Sequence, residues 1–349
     1  MNDPNGLVFY KGRYHAFFQH YPHAPRWGQM HWGHAVTDDL VNWEEKDIAL
    51  YPDMPYEDDG GCFSGSAIVK DDVLYMFYTS VSKDMGQTQS LAISRDGETF
   101  VKYEGNPIIK ESPLGDNKDF RDPKVIKFGD SYRMVVGAGQ GNVGSILLYK
   151  SDDLFNWEYV GKLIEDRTYG PCVECPDLFE INGKWCLMFS SIKSTPHRVN
   201  FALGDFDGEK FIFDDPADPC FAIETGPDLY APQTFEAPDG RRILIGWMYN
   251  WQKNIPVGKT HVGAFTIPRE LKMSKGRLVM RPVREIMHKI KTESTFVTYN
   301  DGLIRIAFEG RTILRQQLRC EPDLEILEDS GVVEVFLDGG QKVITTYIC

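Results

Sequence analysis

The sequence contains no long apolar run and comparatively few basic residues. Its 349 residues include 38 Lys and Arg against 51 Asp and Glu, a formal net charge of −13. A surface this acidic argues against nucleic acid or an anionic membrane as a partner. No run is long and apolar enough for a membrane span, and no signal peptide is seen at the start. We therefore expect a soluble, cytoplasmic protein.

Recognisable metal and cofactor patterns are also scarce. The seven cysteines cannot all pair internally, which favours a reducing compartment. Cys172 and Cys175 have no second pair at zinc spacing, and the eight histidines form no convincing ligand cluster. Residues 139–144 match a dinucleotide-binding pattern, but the strand-like residues 145–149 follow where that fold requires a helix. We interpret this segment as a hairpin turn and predict neither a metal nor an organic cofactor.

What the sequence does have is three short acidic motifs, each opening a β-like run. They are Asn2-Asp3-Pro4-Asn5-Gly6, Arg121-Asp122-Pro123 and Glu174-Cys175-Pro176-Asp177. Any one of them alone could be ordinary turn sequence, because Asp-Pro and Asn-Gly are common in turns. Acids that recur at one point of a repeated strand instead suggest a shared centre. Cleavage of a glycosidic bond needs such a pair of carboxyl groups.

An internal repeat supports the shared centre. A Ser/Thr-x-Asp pattern followed by an aromatic residue starts at positions 37, 94 and 151, with a weaker copy at 204. A second family of β-like segments starts at positions 12, 72, 130, 183 and 240. Five units of this length, each with several short strands and Gly/Asp turns, are typical of a propeller of four-stranded blades. We predict an all-β fold with a five-bladed β-propeller catalytic domain over residues 1–280.

Alignment of the repeated units shows where each acid stands relative to the proline of its motif. Asp3 and Asp122 directly precede their prolines, whereas Glu174 lies one residue further back. The first strand of each blade lines the central channel of a propeller, so the three acids should converge at one mouth of it. Because Glu174 is longer and in a different register, it should approach from another direction than Asp3.

The remaining chain changes character. Residues 281–291 predict a linker helix, and the alternating strand-like runs of residues 292–349 predict a short or incomplete C-terminal β-sandwich module. Within the propeller, residues 56–59 predict a solvated acidic loop near the mouth of the active site.

The chain resembles glycoside hydrolase family 32, the invertase, inulinase, levanase and sucrose-6-phosphate hydrolase group. The motifs that carry the resemblance, in chain order, are Asn2-Asp3-Pro4-Asn5-Gly6, Phe17-Phe18-Gln19, Trp32-Gly33-His34-Ala35, Phe63-Ser64-Gly65-Ser66-Ala67, Arg121-Asp122-Pro123, Glu174-Cys175-Pro176 and Gly246-Trp247-Met248. The ordered set is far more specific than any single motif. It implies a five-bladed propeller with a C-terminal β-sandwich, in agreement with the repeats.

The resemblance also implies roles for individual residues. Asp3 would be the nucleophile, Glu174 the general acid/base, and Asp122 the acid that holds fructose hydroxyls and stabilises the transition state. The reaction would be retaining, through a covalent fructosyl-enzyme. Sugar-binding roles are implied for Asn2, Gln19, Trp27, Phe63, Ser64, Arg121 and Trp247. Trp27, Phe63 and Trp247 could instead be core aromatics.

Several functions remain open at this point. A fructosyltransferase would use the same catalytic residues, and a non-catalytic sugar-binding relative is the non-enzymatic alternative. An inverting arabinan- or xylan-active hydrolase on a similar propeller would hold its acids further apart, ~6.5–9.5 Å. The natural β-fructoside (sucrose, sucrose 6-phosphate or a fructan), the oligomeric state and the completeness of the chain are not determined by the sequence.

Overall fold

The computed structural model describes residues 1–192, 198–249 and 262–348. The regular secondary structure in these ranges is almost entirely β-strand, so the predicted all-β class is confirmed. The helical segments in them are three 3-10 helices, at Pro55–Glu57, Arg167–Tyr169 and Arg284–Lys289. Nowhere in these ranges is a helix long and apolar enough to cross a membrane.

The strands of the first three sheets follow chain order, each pairing antiparallel with the next. Sheet 1 contains β1 (Pro4–Tyr10), β2 (Arg13–His20), β3 (His31–Thr37) and β4 (Glu44–Leu50). Sheet 2 contains β5 (Gly61–Lys70), β6 (Val73–Ser82), β7 (Gly86–Ser94) and β8 (Val101–Lys102). Sheet 3 contains β9 (Phe120–Phe128), β10 (Ser131–Gln140), β11 (Val143–Ser151) and β12 (Glu158–Asp166).

Two further four-stranded sheets and two three-stranded sheets complete the described part of the chain. Sheet 4 contains β13 (Val173–Ile181), β14 (Lys184–Ser191), β15 (Val199–Phe206) and β16 (Phe211–Phe213). Sheet 5 contains β17 (Tyr230–Glu236), β18 (Arg242–Trp247), β19 (Arg269–Ser274) and β20 (Arg277–Pro282). The C-terminal sheets contain β21 (Val297–Asn300), β22 (Leu303–Phe308) and β23 (Arg311–Gln317), then β24 (Leu324–Asp329), β25 (Val332–Leu337) and β26 (Lys342–Tyr347).

The first strands of the five four-stranded sheets lie side by side. Strand β1 contacts β5, β5 contacts β9, β9 contacts β13, β13 contacts β17, and β17 contacts β1. The pairing of each of these strands with its neighbour in the sheet also breaks register near its start. Such bulges bend a strand and re-aim its side chains. The irregular backbone of the five strands therefore lies near their starts, where the strands are side by side.

The repeated Ser/Thr-x-Asp pattern has a structural explanation. The carboxylates of Asp39, Asp96 and Asp153 accept hydrogen bonds of 2.7–2.9 Å from the backbone N–H groups two and three residues later. Asp207 makes the same pair of contacts in the weaker fourth copy. The aspartate closes an Asx-type turn between the third and fourth strands of its sheet. The repeated aspartates therefore stabilise turns and are not part of the acidic centre.

One loop differs from its prediction. Residues 56–59 were expected to be solvated, but the Glu57 side chain is 0% exposed. Its carboxylate accepts hydrogen bonds from Tyr78 Oη (2.7 Å) and Lys102 Nζ (2.5 Å). The prediction holds for Asp58 and Asp59, which are exposed, and is wrong for Glu57, because a charge run in a loop does not reveal a cation that satisfies one of its acids. The hairpin predicted at residues 139–144 is confirmed, since Gln140 pairs with Val143 between β10 and β11.

The C-terminal sheets join sheet 5 through a buried ionic contact. Arg269 on β19 donates hydrogen bonds from Nε (3.0 Å) and Nη2 (2.6 Å) to Glu334 Oε2 on β25. Both side chains are almost fully buried. Arg269 Nη1 also donates to Glu224 Oε2, at 3.2 Å. The arginine is therefore held between two carboxylates at this junction.

Candidate active site

Asp3, Asp122 and Glu174 come together where β1, β9 and β13 begin. Cys175, the neighbour of Glu174, connects the two aspartates. Its backbone N–H donates to Asp122 Oδ2 (2.8 Å), and its Sγ lies 3.5 Å from the same oxygen and 3.7 Å from Asp3 Oδ2. The structure therefore brings all three acidic motifs to one centre.

Asp3 lies immediately before β1, with its carboxylate held by neighbouring polar groups. Ser64 Oγ on β5 donates to Asp3 Oδ2 at 2.7 Å, and Asn2 Nδ2 lies 3.3 Å from Oδ1. Burial raises the pKa of Asp3 and the negative charge of Glu174 adds to the increase, while the Ser64 and Asn2 hydrogen bonds oppose it. Two donors thus counteract burial and support the charged form that a nucleophile needs.

Asp122 is the most enclosed of the three acids. Its φ of 65° is unusual for a residue other than glycine, and its backbone N–H donates to Thr79 Oγ1 at 2.9 Å. Burial raises the pKa of Asp122 to about 7, an effect that Arg121 opposes and the charges of Glu174 and Asp3 reinforce. At neutral pH this carboxyl group lies close to its titration midpoint.

The Glu174 carboxylate is oriented from two sides. Arg121 donates to Oε1 from Nε (3.2 Å) and Nη2 (3.1 Å), and Tyr230 Oη donates to Oε2. Arg121 is itself fixed by Asp119 Oδ1 (2.8 Å) and Gln87 Oε1 (3.1 Å). Arg121 therefore orients the predicted acid/base and is not a merely structural neighbour of Asp122.

The other predicted sugar-binding residues differ in exposure. Gln19 is buried; it donates from Nε2 to the carbonyl of Cys62 at 2.9 Å, and its backbone pairs with Asn2 and Asp3. Trp27 is 63% exposed and meets Phe63 edge to face, with ring centroids 5.9 Å apart. A core role for Trp27 is excluded by this exposure. Trp27 and Phe63 form an aromatic rim next to Ser64.

Trp247 is buried on the side of the site formed by sheet 5. Its ring stacks on Tyr249, with centroids 4.0 Å apart, and meets Tyr230 edge to face at 6.5 Å. Its buried indole N–H has no acceptor among the described residues. A buried donor is costly to leave without an acceptor.

Sequence reasoning missed Tyr230 and the role of Cys175. Both belong to a pattern that the first strands of sheets 3, 4 and 5 share. In each of these strands a residue of positive φ precedes a proline: Asp122-Pro123, Cys175-Pro176 and Ala231-Pro232. Tyr230 stands in the same place as Glu174 and Arg121. The same motif is visible in the fifth unit as Tyr230-Ala231-Pro232, but the sequence alone did not indicate that Tyr230 is the partner of Glu174.

Comparison with known proteins identifies a family for this chain. The model of the glycosyl hydrolases family 32 N-terminal domain matches residues 1–282. Sucrose-6-phosphate hydrolase of Zymomonas mobilis is 38% identical over 332 residues, which cover 86% of this chain and 64% of that protein. Levanase of Bacillus subtilis is 39% identical over 318 residues, covering 82% of this chain and 45% of the levanase. The chain therefore spans less than two thirds of the length of either relative.

Solved structures are similar along the whole chain. A β-fructofuranosidase of Bombyx mori superposes with a TM-score of 0.86 at 31% identity, covering 100% of this chain and 86% of that one. A variant of the same Bombyx enzyme, in complex with sucrose, gives the same TM-score at 30% identity.

Proposed function

The chain belongs to glycoside hydrolase family 32, and we propose that it is a retaining glycosidase that releases fructose from β-fructofuranosides. The observation that carries the proposal is the meeting of Asp3, Asp122 and Glu174 around Cys175. Retaining hydrolysis needs one acid as nucleophile and a second as acid/base on either side of the scissile bond. The relatives named sucrose-6-phosphate hydrolase and levanase support the same reaction class.

In the proposed first step, Asp3 attacks the anomeric carbon of the fructosyl unit. Glu174 gives a proton to the departing glycosidic oxygen, and a covalent fructosyl-enzyme forms on Asp3. Ser64 supports the charge of the nucleophile before attack, through its 2.7 Å hydrogen bond to Oδ2.

In the second step, Glu174 removes a proton from water, which attacks the same carbon from the side that the leaving group vacated. Fructose leaves with its original anomeric configuration, because two displacements have occurred. Arg121 and Tyr230 hold the Glu174 carboxyl group from opposite oxygens, which keeps it in one orientation for both proton transfers.

The surrounding residues are proposed to bind the sugar. Asp122 would accept hydrogen bonds from fructose hydroxyls, and Asn2 and Gln19 would bind the sugar beside Asp3. Trp27 and Phe63 would cover the apolar side of the substrate at the rim, and the Trp247 ring would line the site beside Tyr230.

We propose sucrose, sucrose 6-phosphate or a fructan as the substrate class. Structural similarity to the Bombyx enzyme that holds sucrose supports a small carbohydrate. Transfer of the fructosyl group to a second sugar is the alternative outcome of the same intermediate. A cytoplasmic location stays a prediction.

We also propose that residues 1–280 form a five-bladed propeller, followed by a linker at 281–291 and a sandwich-like module at 292–349. Five consecutive four-stranded sheets, whose first strands contact one another in a ring, support the propeller. The six-residue 3-10 helix within the linker and the two three-stranded sheets after it support the division.

Fructose release by Asp3→Ala, compared with the unchanged protein, tests the proposed function. We expect turnover of sucrose to fall by about 10⁴-fold or more, since removal of one member of a catalytic unit costs several orders of magnitude. Asp47→Ala, which removes an exposed aspartate of β4, is the matched control and should retain full activity. Near-normal turnover by a folded Asp3→Ala protein would contradict the assignment.

A further inference from the structure

The last described strand, β26, lies against the segment that leads into the active site. Residues 223–228 run parallel to β26, just before β17 begins at Tyr230. Val343 N–H donates to the carbonyl of Ile223 (2.9 Å), Thr225 N–H donates to the carbonyl of Val343 (2.7 Å), and Asp228 N–H donates to that of Thr345 (3.2 Å). Strand β26 thus belongs to one C-terminal sheet and also forms hydrogen bonds with residues 223–228, the segment that precedes sheet 5.

Asp228 strengthens this attachment with its side chain. Its fully buried carboxylate accepts hydrogen bonds at Oδ2 from Thr346 Oγ1 (2.9 Å) and from the backbone N–H of Tyr347 (3.0 Å). Hydrogen bonds to a charged acceptor are stronger than neutral ones. The residue two positions before Tyr230 is therefore fixed to the C-terminal strand.

A second attachment comes from the Tyr347 side chain. Its hydroxyl donates to the carbonyl of Met248 at 3.0 Å. Met248 directly follows Trp247, and Trp247 pairs with Tyr230 across β17 and β18. The two attachments therefore lie on both sides of the Tyr230–Trp247 pair.

Tyr230 in turn donates a hydrogen bond to Glu174 Oε2. Burial and the charge of Glu174 raise the pKa of Tyr230 well above its ordinary range, so the phenol keeps its proton and remains a donor. We propose that β26 is a positioning element of the active site, acting through Asp228 and Tyr347 on Tyr230 and thereby on Glu174. This inference rests on the proposed function, in which Glu174 is the acid/base.

A positioning role differs measurably from a purely structural one. Loss of general stability would lower activity on all substrates alike. Misplaced Glu174 instead impairs protonation of a poor leaving group, whereas a fructoside with an acidic leaving group needs little protonation. The ratio of the first-step rates on sucrose and on an activated aryl β-fructoside therefore reports the position of Glu174.

The test uses Tyr347→Phe and Thr346→Val, each close to its parent in shape, in the full chain. We expect kcat/KM on sucrose to fall by about five- to tenfold and that on the aryl fructoside by less than about twofold, as the loss of one hydrogen bond implies. Tyr299→Phe, in β21 of the other C-terminal sheet, is the matched control and should change neither value.

Coupling to Tyr230 completes the test. Tyr230→Phe should show the same selective loss on sucrose, and adding Tyr347→Phe to it should cost little more, because both changes act on the same contact. Equal losses on both substrates, no loss on either, or additive effects in the double variant would each overturn the proposal. Absence of fructose release from the unchanged protein would instead refute the proposed function itself.

Discussion

The hydroxyl of Ser64 donates a 2.7 Å hydrogen bond to Asp3 Oδ2, joining β5 to the residue that precedes β1. Among the described residues it is the shortest hydrogen bond to the carboxylate of the proposed nucleophile. It opposes the increase in the pKa of Asp3 that burial causes. The neighbouring sheet therefore supplies a donor that favours the charged form of the attacking carboxylate.

Ser64→Ala should consequently move the acidic limb of the kcat/KM profile to higher pH. Asp3 must be ionised to attack, so activity is lost as pH falls through its pKa. Removal of the hydrogen bond leaves the effect of burial less opposed and so raises that pKa further. A pH profile measured between pH 4 and 8 checks this, with Ser131→Ala at the β9–β10 turn as control. An unshifted acidic limb in Ser64→Ala would contradict the role of Ser64.

Asp122→Asn should abolish most activity and yet stabilise the fold at neutral and higher pH. The pKa of Asp122 is raised to about 7 by burial, so the folded state holds its proton more tightly than the unfolded state, whose pKa is ~3.9. Stability of the unchanged protein therefore falls as pH rises from about 4 to 7. The asparagine variant avoids this loss, which is at most about 4 kcal/mol.

Denaturation of both proteins across pH 4 to 8 measures this effect. The stability difference should be small near pH 4 and grow toward pH 8. Asp96→Asn provides a control of opposite sign, since backbone N–H groups of Thr99 and Glu98 lower the pKa of Asp96. That variant should be destabilised at neutral pH. A pH-independent difference for Asp122→Asn would refute the raised pKa.

Trp27→Ala should raise KM for sucrose or fructan with little change in folding stability. The side chain is 63% exposed and meets Phe63 edge to face, so its removal leaves the core intact and removes apolar surface from the rim. An increase in KM of about tenfold corresponds to one lost aromatic contact. Ile212→Ala, at a side chain 59% exposed on β16, serves as control. An unchanged KM would remove Trp27 from the binding site.

Glu334→Gln should destabilise the protein by about 3 kcal/mol, because it leaves the buried Arg269 charge without one of its carboxylates. Urea denaturation measures the change. The control is Glu158→Gln, which removes the exposed ion pair with Lys150 and should cost less than about 1 kcal/mol. Equal effects of the two changes would show that the junction between sheet 5 and the C-terminal sheets adds no special stability.

The sequence predicted the all-β class because turn aspartates and alternating apolar residues act locally. Asp39, Asp96 and Asp153 each bond to backbone only two or three residues away, so their repeat is visible in the chain itself. The burial of Glu57 was not predictable in this way. Its partner Lys102 lies 45 residues further along the chain, and only the tertiary fold joins them.

The same contrast holds for the site. The acidic motifs predicted Asp3, Asp122 and Glu174, since each motif stands at the start of the first strand of a repeated unit. Tyr230 was missed because its role depends on a contact with Glu174, 56 residues away, and not on its own chemistry.

The most direct test of the mechanism is the mass of Glu174→Gln after reaction with an activated aryl β-fructoside. The first step needs little protonation with such a leaving group, while the second step still lacks its base. The account predicts a protein heavier by one fructosyl group, attached to the peptide that contains Asp3. Continued release of fructose with no adduct, or an adduct on another residue, would contradict the assignment of Asp3 and Glu174.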